Sequence, residues 1–335
     1  MINRFDRTKP LNAARQRRVD SIFLPTAQQA ARILAGGNYR MDASSVVHLA
    51  RQLEELDTEI YYVEYPENAG VQLLPIKSNI HVGADTYTYQ SRDRVGEFAP
   101  SANLSDESPE QEIAGDSDTS KLFSWRGHYA YSVQDMRRAQ MAGVSIDNDR
   151  AMSARENAET KLDEVLATGY SALGITGFFN HGDVGSVTPD VGDWTNSSTD
   201  ADEIVGDLNK AVRAVITGSK GRAIPNMIVM APTAYAAADT KRLPNTEISA
   251  LDFFKKKNPQ IRIEQWARAE TAGAAGARRL MVGRADRRTL EALVPVRFET
   301  FPPEMRGLTY RVECHLRTGG VIFRYPGAWR YMDGC

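Results

Sequence analysis

Apolar residues recur at steps of three and four along one stretch of the chain, at Ala151, Ala154, Ala158, Leu162, Val165 and Leu166. That spacing stacks them on one face of a 3.6-residue helix and puts Arg150, Ser153, Asn157, Lys161 and Glu164 opposite. Ser145 is a candidate N-cap, and Asp147 and Asp149 fall in the first turn, where free N–H groups and the helix dipole favour negative charge. Gly169 is a natural C-terminal stop. A helix between these signals spans roughly 30 Å, long for a globular protein. Its first half presents alanine, against which another backbone can approach closely. Its second half presents bulky aliphatic residues. Taken alone, the helix suits the core of any α/β protein. Gly169, Gly174, Gly177 and Gly182 then punctuate the loop that follows.

Upstream, helical spacing predicts short helices over 26–34 and 42–56. From Ile60 the period changes to two, predicting strands at 60–65, 71–76 and 85–94. The last of these, DTYTYQSRDR, has polar and aromatic residues on both faces, so no core lies beneath it. Residues 95–120 contain Glu97, Asp106, Glu107, Glu110, Glu112, Asp116 and Asp118 and neither Lys nor Arg. Residues 121–133 return as a strand with Phe123, Trp125, Tyr129 and Tyr131 at alternate positions. Together these predict a long extended hairpin with an acidic far end. Such a two-stranded ribbon is marginal in water by itself, and lying on another subunit would stabilise it. A flexible surface loop is the other reading, although about 26 residues is unusually long for one.

A short helix over 135–142 leads into the long one. Downstream, the pattern predicts helices over 201–217, 232–242 and 249–257, and strands over 227–230, 260–265 and 279–282, a mixed α/β lobe. Strands return over 290–300, 308–316 and 320–325, with residues 317–320 read as a hairpin turn.

Composition changes this picture little. Apolar residues make up 42% and charged residues 25% of 335, with a net charge of -2, so nothing drives the whole chain to nucleic acid or membrane. The length predicts about two domains. No apolar run spans a bilayer, and the first ten residues are too polar for a signal peptide, which predicts a cytoplasmic protein. Cys314 and Cys335 read as free thiols. Charge is uneven locally: residues 1–20 carry Arg4, Arg7, Lys9, Arg15, Arg17 and Arg18 against Asp6 and Asp20. This basic arm suits DNA phosphates, an acidic neighbour, or plain solvation.

Chemistry-bearing motifs are sparse. The run Gly218-Ser219-Lys220-Gly221 lacks phosphate-loop spacing, and neither a G-x-G-x-x-G after a strand nor a G-x-S-x-G elbow occurs. His181 with Asp183, Asp190 and Asp193 is the cluster with metal-like residue types, although aspartates in a glycine-rich loop commonly form turns. The other histidines fall singly in regular elements, and Tyr170, Phe178 and Phe179 read as core or interface anchors. No cofactor is expected.

The order of parts resembles the major capsid protein of tailed bacteriophages, an α+β fold also used by encapsulin shells. The stretches that carry the resemblance are LLPIKSNIHVGADTYTYQSRD at 73–93, AQMAGVSIDNDRAMSARE at 139–156, GITGFFN at 174–180 and GGVIFRYPGAWRY at 319–331. The resemblance implies an N-terminal arm and short helices over 1–70 and an extended loop over 71–121 that reaches across a neighbouring subunit. It implies a peripheral domain from 122–168 with 290–335, built on the long helix as a spine, and an axial domain over 169–289.

It also implies a non-enzymatic protein that assembles into hexamers and pentamers of an icosahedral shell around double-stranded DNA, bound non-specifically. The shell would be built in the host cytoplasm and become the virion capsid, with portal, scaffolding and cement proteins as further partners and no membrane. The acidic residues Asp106, Glu107, Glu110, Glu112, Asp116 and Asp118 would face Arg137, Arg138 and the basic arm of a neighbour. The four glycines would form the bend between domains. Residues 78–120 contain no lysine, which argues against a lysine crosslink from the loop. With the spine beginning by residue 145, scaffolding is expected to be separate or unnecessary. The alternatives are an encapsulin-type compartment for protein cargo and a metal-dependent hydrolase using His181 and the nearby aspartates.

Overall fold

The structure, a computed structural model, describes residues 68–96, 98, 111–142 and 146–335. The expected helices at 26–34 and 42–56, the strand at 60–65, the basic arm and Ser145 lie outside these residues.

The long helix, α3 (Ile146–Thr168), follows α2 (Val133–Ala142). Leu162, Val165 and Leu166 are fully buried, whereas Ala151, Ala154 and Ala158 are only half-buried. The face is the one the spacing defines, but its two halves meet different surroundings. The bulky half enters the main core with Phe178, Phe179, Trp266, Phe323 and Trp329. Phe178 touches four other rings of this group, with centroids 5.0 Å from Phe179, 5.7 Å from Trp266, 5.4 Å from Trp329 and 6.3 Å from Phe323. Each such buried side chain contributes about 1.5–3 kcal/mol. The alanine half lies over an open groove of about 250 Å³ walled by Trp125, Gly127, Phe298 and Leu316.

The described strands form four sheets, and the long helix packs on β4, β10, β12 and β13. β4 (Phe123–Ser132) pairs antiparallel with β12 (Thr309–Thr318) over ten residues, and β10 (Val296–Thr300) and β11 (Glu304–Arg306) lie on the other side of β12. β1 (Ile76–Lys77), β9 (Leu290–Leu293) and β13 (Gly320–Phe323) form a small second sheet. A five-stranded sheet, in the order β5 (Gly185–Val187), β14 (Trp329–Asp333), β8 (Arg279–Gly283), β6 (Met227–Met230) and β7 (Arg262–Gln265), packs against α4 (Ala201–Gly218). α4 opens on a reciprocal Asp200–Glu203 capping box, and α6 (Ala250–Lys257) on the Ser249 hydroxyl, which accepts from the Asp252 amide at 3.1 Å. α5 (Pro232–Thr240) begins with proline, whose missing N–H costs nothing there. The fourth sheet is a ribbon of β2 (Thr86–Val95) and β3 (Glu112–Lys121), in register from Thr86↔Lys121 to Val95↔Glu112.

Several expectations are corrected. The segment expected as a strand at 71–76 begins as a helical turn, α1 (Gly70–Leu73), with extended backbone only at Ile76 and Lys77. The return strand of the ribbon is β3, part of the acidic stretch expected to be a loop; the aromatic strand at 121–133 belongs to the sheet of β12 instead. Alternation alone does not say which strand is the partner. The single strand expected at 290–300 is two strands in different sheets, parted at Pro295, which has no N–H for a ladder. Residues 317–320 are not a hairpin turn, because β12 and β13 pair with different neighbours. The terminal strand β14, unforeseen as a strand, sits inside the five-stranded sheet, so residues 329–333 group with 185–187 and 279–283 rather than wholly with the spine.

Candidate inter-subunit surfaces

The ribbon of β2 and β3 is largely exposed along its described residues. At about 3.3 Å per residue its ten-residue strands extend roughly 33 Å. Along them Thr88, Gln90, Glu112, Ile113, Ser117, Asp118 and Thr119 are exposed, and Phe98 beyond β2 is 90% exposed. The root is held by side chains of the body. Tyr87 and Tyr89 pack on the small cluster of Leu122, Leu293 and Ile322. The Tyr89 hydroxyl donates to the Phe323 carbonyl at 3.4 Å and the Ser120 hydroxyl to the Gly319 carbonyl at 3.3 Å. Burial, and Asp118 beside it, push the Tyr89 hydroxyl up to about 12. Arg324 reaches the Tyr87 hydroxyl at 3.4 Å and the buried Glu291 carboxylate at 2.6 Å, while the Lys77 ammonium lies 5.1 Å from the Tyr87 ring centroid.

A second surface runs over α2 and the first half of α3. Met136, Met141 and Met152 are exposed there, Met141 to 92%, beside Arg137 and Arg138. Asp135 is held below its ordinary range by hydrogen bonds from the Ser132 amide and hydroxyl and by Arg150, and Arg138 lies 3.8 Å from it. Near β11, Phe301, Met305 and Leu308 make a third exposed apolar patch. Outward-facing large apolar side chains gathered this way mark surfaces that associate.

The expected site residues therefore separate. Glu112, Asp116 and Asp118 lie on β3, with Glu112 and Asp118 exposed, while Asp106, Glu107 and Glu110 fall outside the described residues. Arg137 and Arg138 are exposed on α2, and Arg4, Arg7, Lys9, Arg15, Arg17 and Arg18 fall outside the description. Among the glycines, Gly169 and Gly174 adopt left-handed backbone at φ 69° and 70°. Gly177 packs so closely on Gly169 that an added Cβ would lie 2.3 Å from the Gly169 amide nitrogen, whereas Gly182 borders open space. The turn at 169–177 follows from these contacts: the Gly169 amide donates to Val165 O at 2.9 Å and the Phe178 amide to Leu166 O at 2.8 Å.

The residues of the hydrolase reading are dispersed into ion pairs. Asp190 pairs with Lys210 and Asp193 with Arg278. His181 stands 3.8 Å from Asp183 and has its proton affinity lowered by burial, against the pull of Asp183 and Asp118. Among the described residues no group of three or more His, Cys, Asp or Glu side chains is arranged to hold a metal ion. Among the same residues, no helix is long and apolar enough to cross a membrane.

Three buried carboxylates among the described residues escaped the sequence reading, Glu291 beside Arg324 and two aspartates. Asp163, on the spine helix, accepts from the Gly70 amide at 2.9 Å and from Trp266 Nε1 at 3.0 Å, with Arg268 Nε at 3.3 Å. Asp207, on α4, accepts from the Asp190 amide at 2.6 Å and Trp194 Nε1 at 3.1 Å, which fixes the loop before α4. The available signal was a lone aspartate next to the apolar stripe together with a distant tryptophan, a pattern too common to select.

Residues 101–335 match the family described as Major capsid protein. The chain belongs to the major capsid protein family. It is a structural protein of a capsid shell, and its place is the virion capsid. No curated protein matches the sequence. Among solved structures, the capsid of Myoviridae phage XM1 is similar with a TM-score of 0.77 at 20% identity, over 85% of this chain and 98% of that one. A Mycobacterium phage Bobi chain gives 0.61 at 13% identity, over 88% and 99%. The capsid of a native GTA particle gives 0.60 at 13% identity, over the same shares. These likenesses establish a shared α+β capsid fold. Within it, this capsid protein self-associates into a shell.

Proposed function

We propose that the protein builds hexamers and pentamers of an icosahedral shell around double-stranded DNA, and that the β2–β3 ribbon reaches across a neighbouring subunit. The observation that carries the ribbon's role is the exposure of its described apolar side chains, with Ile113 65% exposed on β3 and Phe98 90% exposed beyond β2. In this reading the acidic stretch from Asp106 to Asp118 faces Arg137, Arg138 and the arginine-rich residues 4–18 of the next copy. Contacts between unlike surfaces close into rings when the rotation closes. The alanine half of α3 and its groove offer a seat for an incoming backbone. Division into an arm, an extended loop, a peripheral part on the spine and an axial lobe after Gly169 follows from the same reading, with β14 reassigned to the axial sheet.

The basic arm would contact DNA phosphates without reading sequence. Portal, scaffolding and cement proteins would be separate partners, and assembly would take place in the host cytoplasm. Electron microscopy of purified protein, with nuclease-protected nucleic acid measured in the particles, tests this. Closed shells containing DNA are expected from infected cells. A strictly monomeric protein at high concentration would overturn the reading, and shells that hold protein cargo and no DNA would redirect it to a storage compartment.

A further inference from the structure

The ribbon leaves the body of the protein through residues 82–85, and one side chain gathers that bend. Arg317 projects from β12, where its backbone lies between Val296 of β10 and Ser124 of β4. Its guanidinium donates to the Val82 carbonyl, to the Ala84 carbonyl at 2.6 Å and to Asp85 Oδ1 at 2.8 Å. The side chain is 11% exposed, whereas Asp85 is 92% exposed. Buried Arg317 Nε finds no acceptor among the described residues, so the fork is aimed at the bend and not at its own strand. A planar, always-charged donor fork of this kind fixes direction as well as distance.

Three further observations make the bend a pivot. The Leu122 amide closes the root by donating to Asp85 O at 2.9 Å, so both ribbon strands begin at the residues Arg317 holds. Beyond Tyr89 the described side chains of Gln90, Glu112, Ile113 and Asp118 are exposed. Between the root and the 171–183 loop lies an open cleft of about 480 Å³, with Tyr89, Asp118 and Lys121 on the ribbon side and Leu173, His181 and Asp183 opposite. The ribbon therefore has space to tilt on one side and a charged clamp at its base. For a lever of about 33 Å, a tilt of roughly 10° carries the tip about 6 Å, more than a side-chain contact tolerates.

We propose that Arg317 is the positioning residue that sets the inclination of the β2–β3 ribbon, and that this inclination selects the curvature of the assembled shell. The inference rests on the reading that the ribbon seats on a neighbouring copy. Small errors of angle at the root are multiplied along the arm and repeated at each contact around a ring, so a loosened clamp yields several closures instead of one.

The test uses the full chain with Arg317→Gln, Arg317→Lys and Asp85→Asn. In unassembled Arg317→Gln, amide exchange at residues 86–90 and at Leu122 is expected to rise about tenfold or more while the spine helix stays protected. Its particles are expected to spread in diameter or to include open and tubular forms. Arg317→Lys should narrow that spread without restoring a single diameter, because an ammonium reaches acceptors one by one. A merely structural role would lower the yield of particles and leave their diameter unchanged.

Particles of one wild-type diameter from Arg317→Gln would overturn the proposal. If that variant fails to fold, Asp85→Asn, which removes only the exposed carboxylate from the clamp, decides: a broadened diameter distribution supports the proposal, and an unchanged one with unchanged exchange at 86–90 overturns it. Reversal of the acidic charges on the ribbon separates the two levels. Normal shells from the charge-reversed chain would remove the seating reading and this inference with it. Blocked assembly there, with uniform shells from Arg317→Gln, would remove the inference alone.

Discussion

The carboxylate of Asp163 accepts from the indole Nε1 of Trp266 at 3.0 Å, across 103 residues of sequence and inside the core. This joins the spine helix to the lobe that follows it, and the Gly70 amide at 2.9 Å adds the chain before the ribbon. Asp163→Ala leaves two buried N–H donors without acceptors and is expected to cost about 3–5 kcal/mol. Asp163→Asn keeps an acceptor for both donors but turns an amide N–H₂ toward Arg268, and about 1–3 kcal/mol is expected. Because removing both partners is gentler than removing one, Asp163→Ala combined with Trp266→Phe should fall clearly short of the sum of the singles. Denaturant melts of unassembled protein check this. Additive losses would mean that the two side chains are not energetically coupled.

The bend glycines should rank by what surrounds them. At Gly169, φ is 69° and a Cβ would meet Ile175 O at 2.3 Å and Gly177 N at 2.7 Å, both backbone atoms that cannot swing aside. Gly174 shares the left-handed backbone but faces open space, and Gly182 has neither constraint. Alanine at 169 is therefore expected to cost more than about 2 kcal/mol, at 174 about 1–2 kcal/mol, and at 182 within about 0.5 kcal/mol. Thermal melts of the three variants would expose a misplaced bend if Gly182→Ala proved the most damaging.

The legible parts of the fold were those with local cause. The stripe from Ala151 to Leu166 and the stop at Gly169 define α3 to within a residue at its C-terminal end, because period and cap act along a few turns. Ladder partners were not legible. Glu112–Lys121 has little apolar alternation and still forms a ten-residue strand, because its stability comes from pairing with Thr86–Val95 and not from a buried face. Trp329–Asp333 was missed as a strand for the opposite reason: it fills a slot between β5 and β8, both of which lie far back along the chain. The charges named from sequence were those in runs. Arg317, Asp163 and Asp207 act singly against distant backbone and indole groups, so no run announces them.

The acidic stretch offers a test that separates folding from association. Changing Asp106, Glu107, Glu110 and Glu112 together to Lys tests charge against folding, because surface charge pairs in general are worth about 0–1 kcal/mol each. Such charges do orient contacts between chains. The variant is expected to keep the wild-type melting temperature as a monomer and to remain unassembled in sedimentation velocity runs. A compensating change of Arg137 and Arg138 to Glu should restore part of the particle yield. Full assembly of the quadruple variant would show that the ribbon's charges do not guide its seating.

The last expectation concerns pH. The His181 ring packs on Phe323 at 4.8 Å between centroids, its backbone amide donates to the Tyr331 hydroxyl at 3.1 Å, and Asp183 and Asp118 are the charges that face it. Burial lowers its proton affinity below the ordinary value of 6.5, and the two carboxylates only partly oppose this. The unfolded chain thus binds more protons than the folded one between the lowered value and 6.5. Stability from this residue is complete above 6.5 and declines as the pH falls through that window, by at most about 1.4 kcal/mol per pH unit for one group. His181→Gln removes the titration while retaining a polar side chain of similar reach. Unfolding free energies of wild type and variant should run parallel above 6.5 and converge or cross below it, with the wild type losing more. Curves that stay parallel from about pH 8 to pH 5 would show that the imidazole titrates equally in both states.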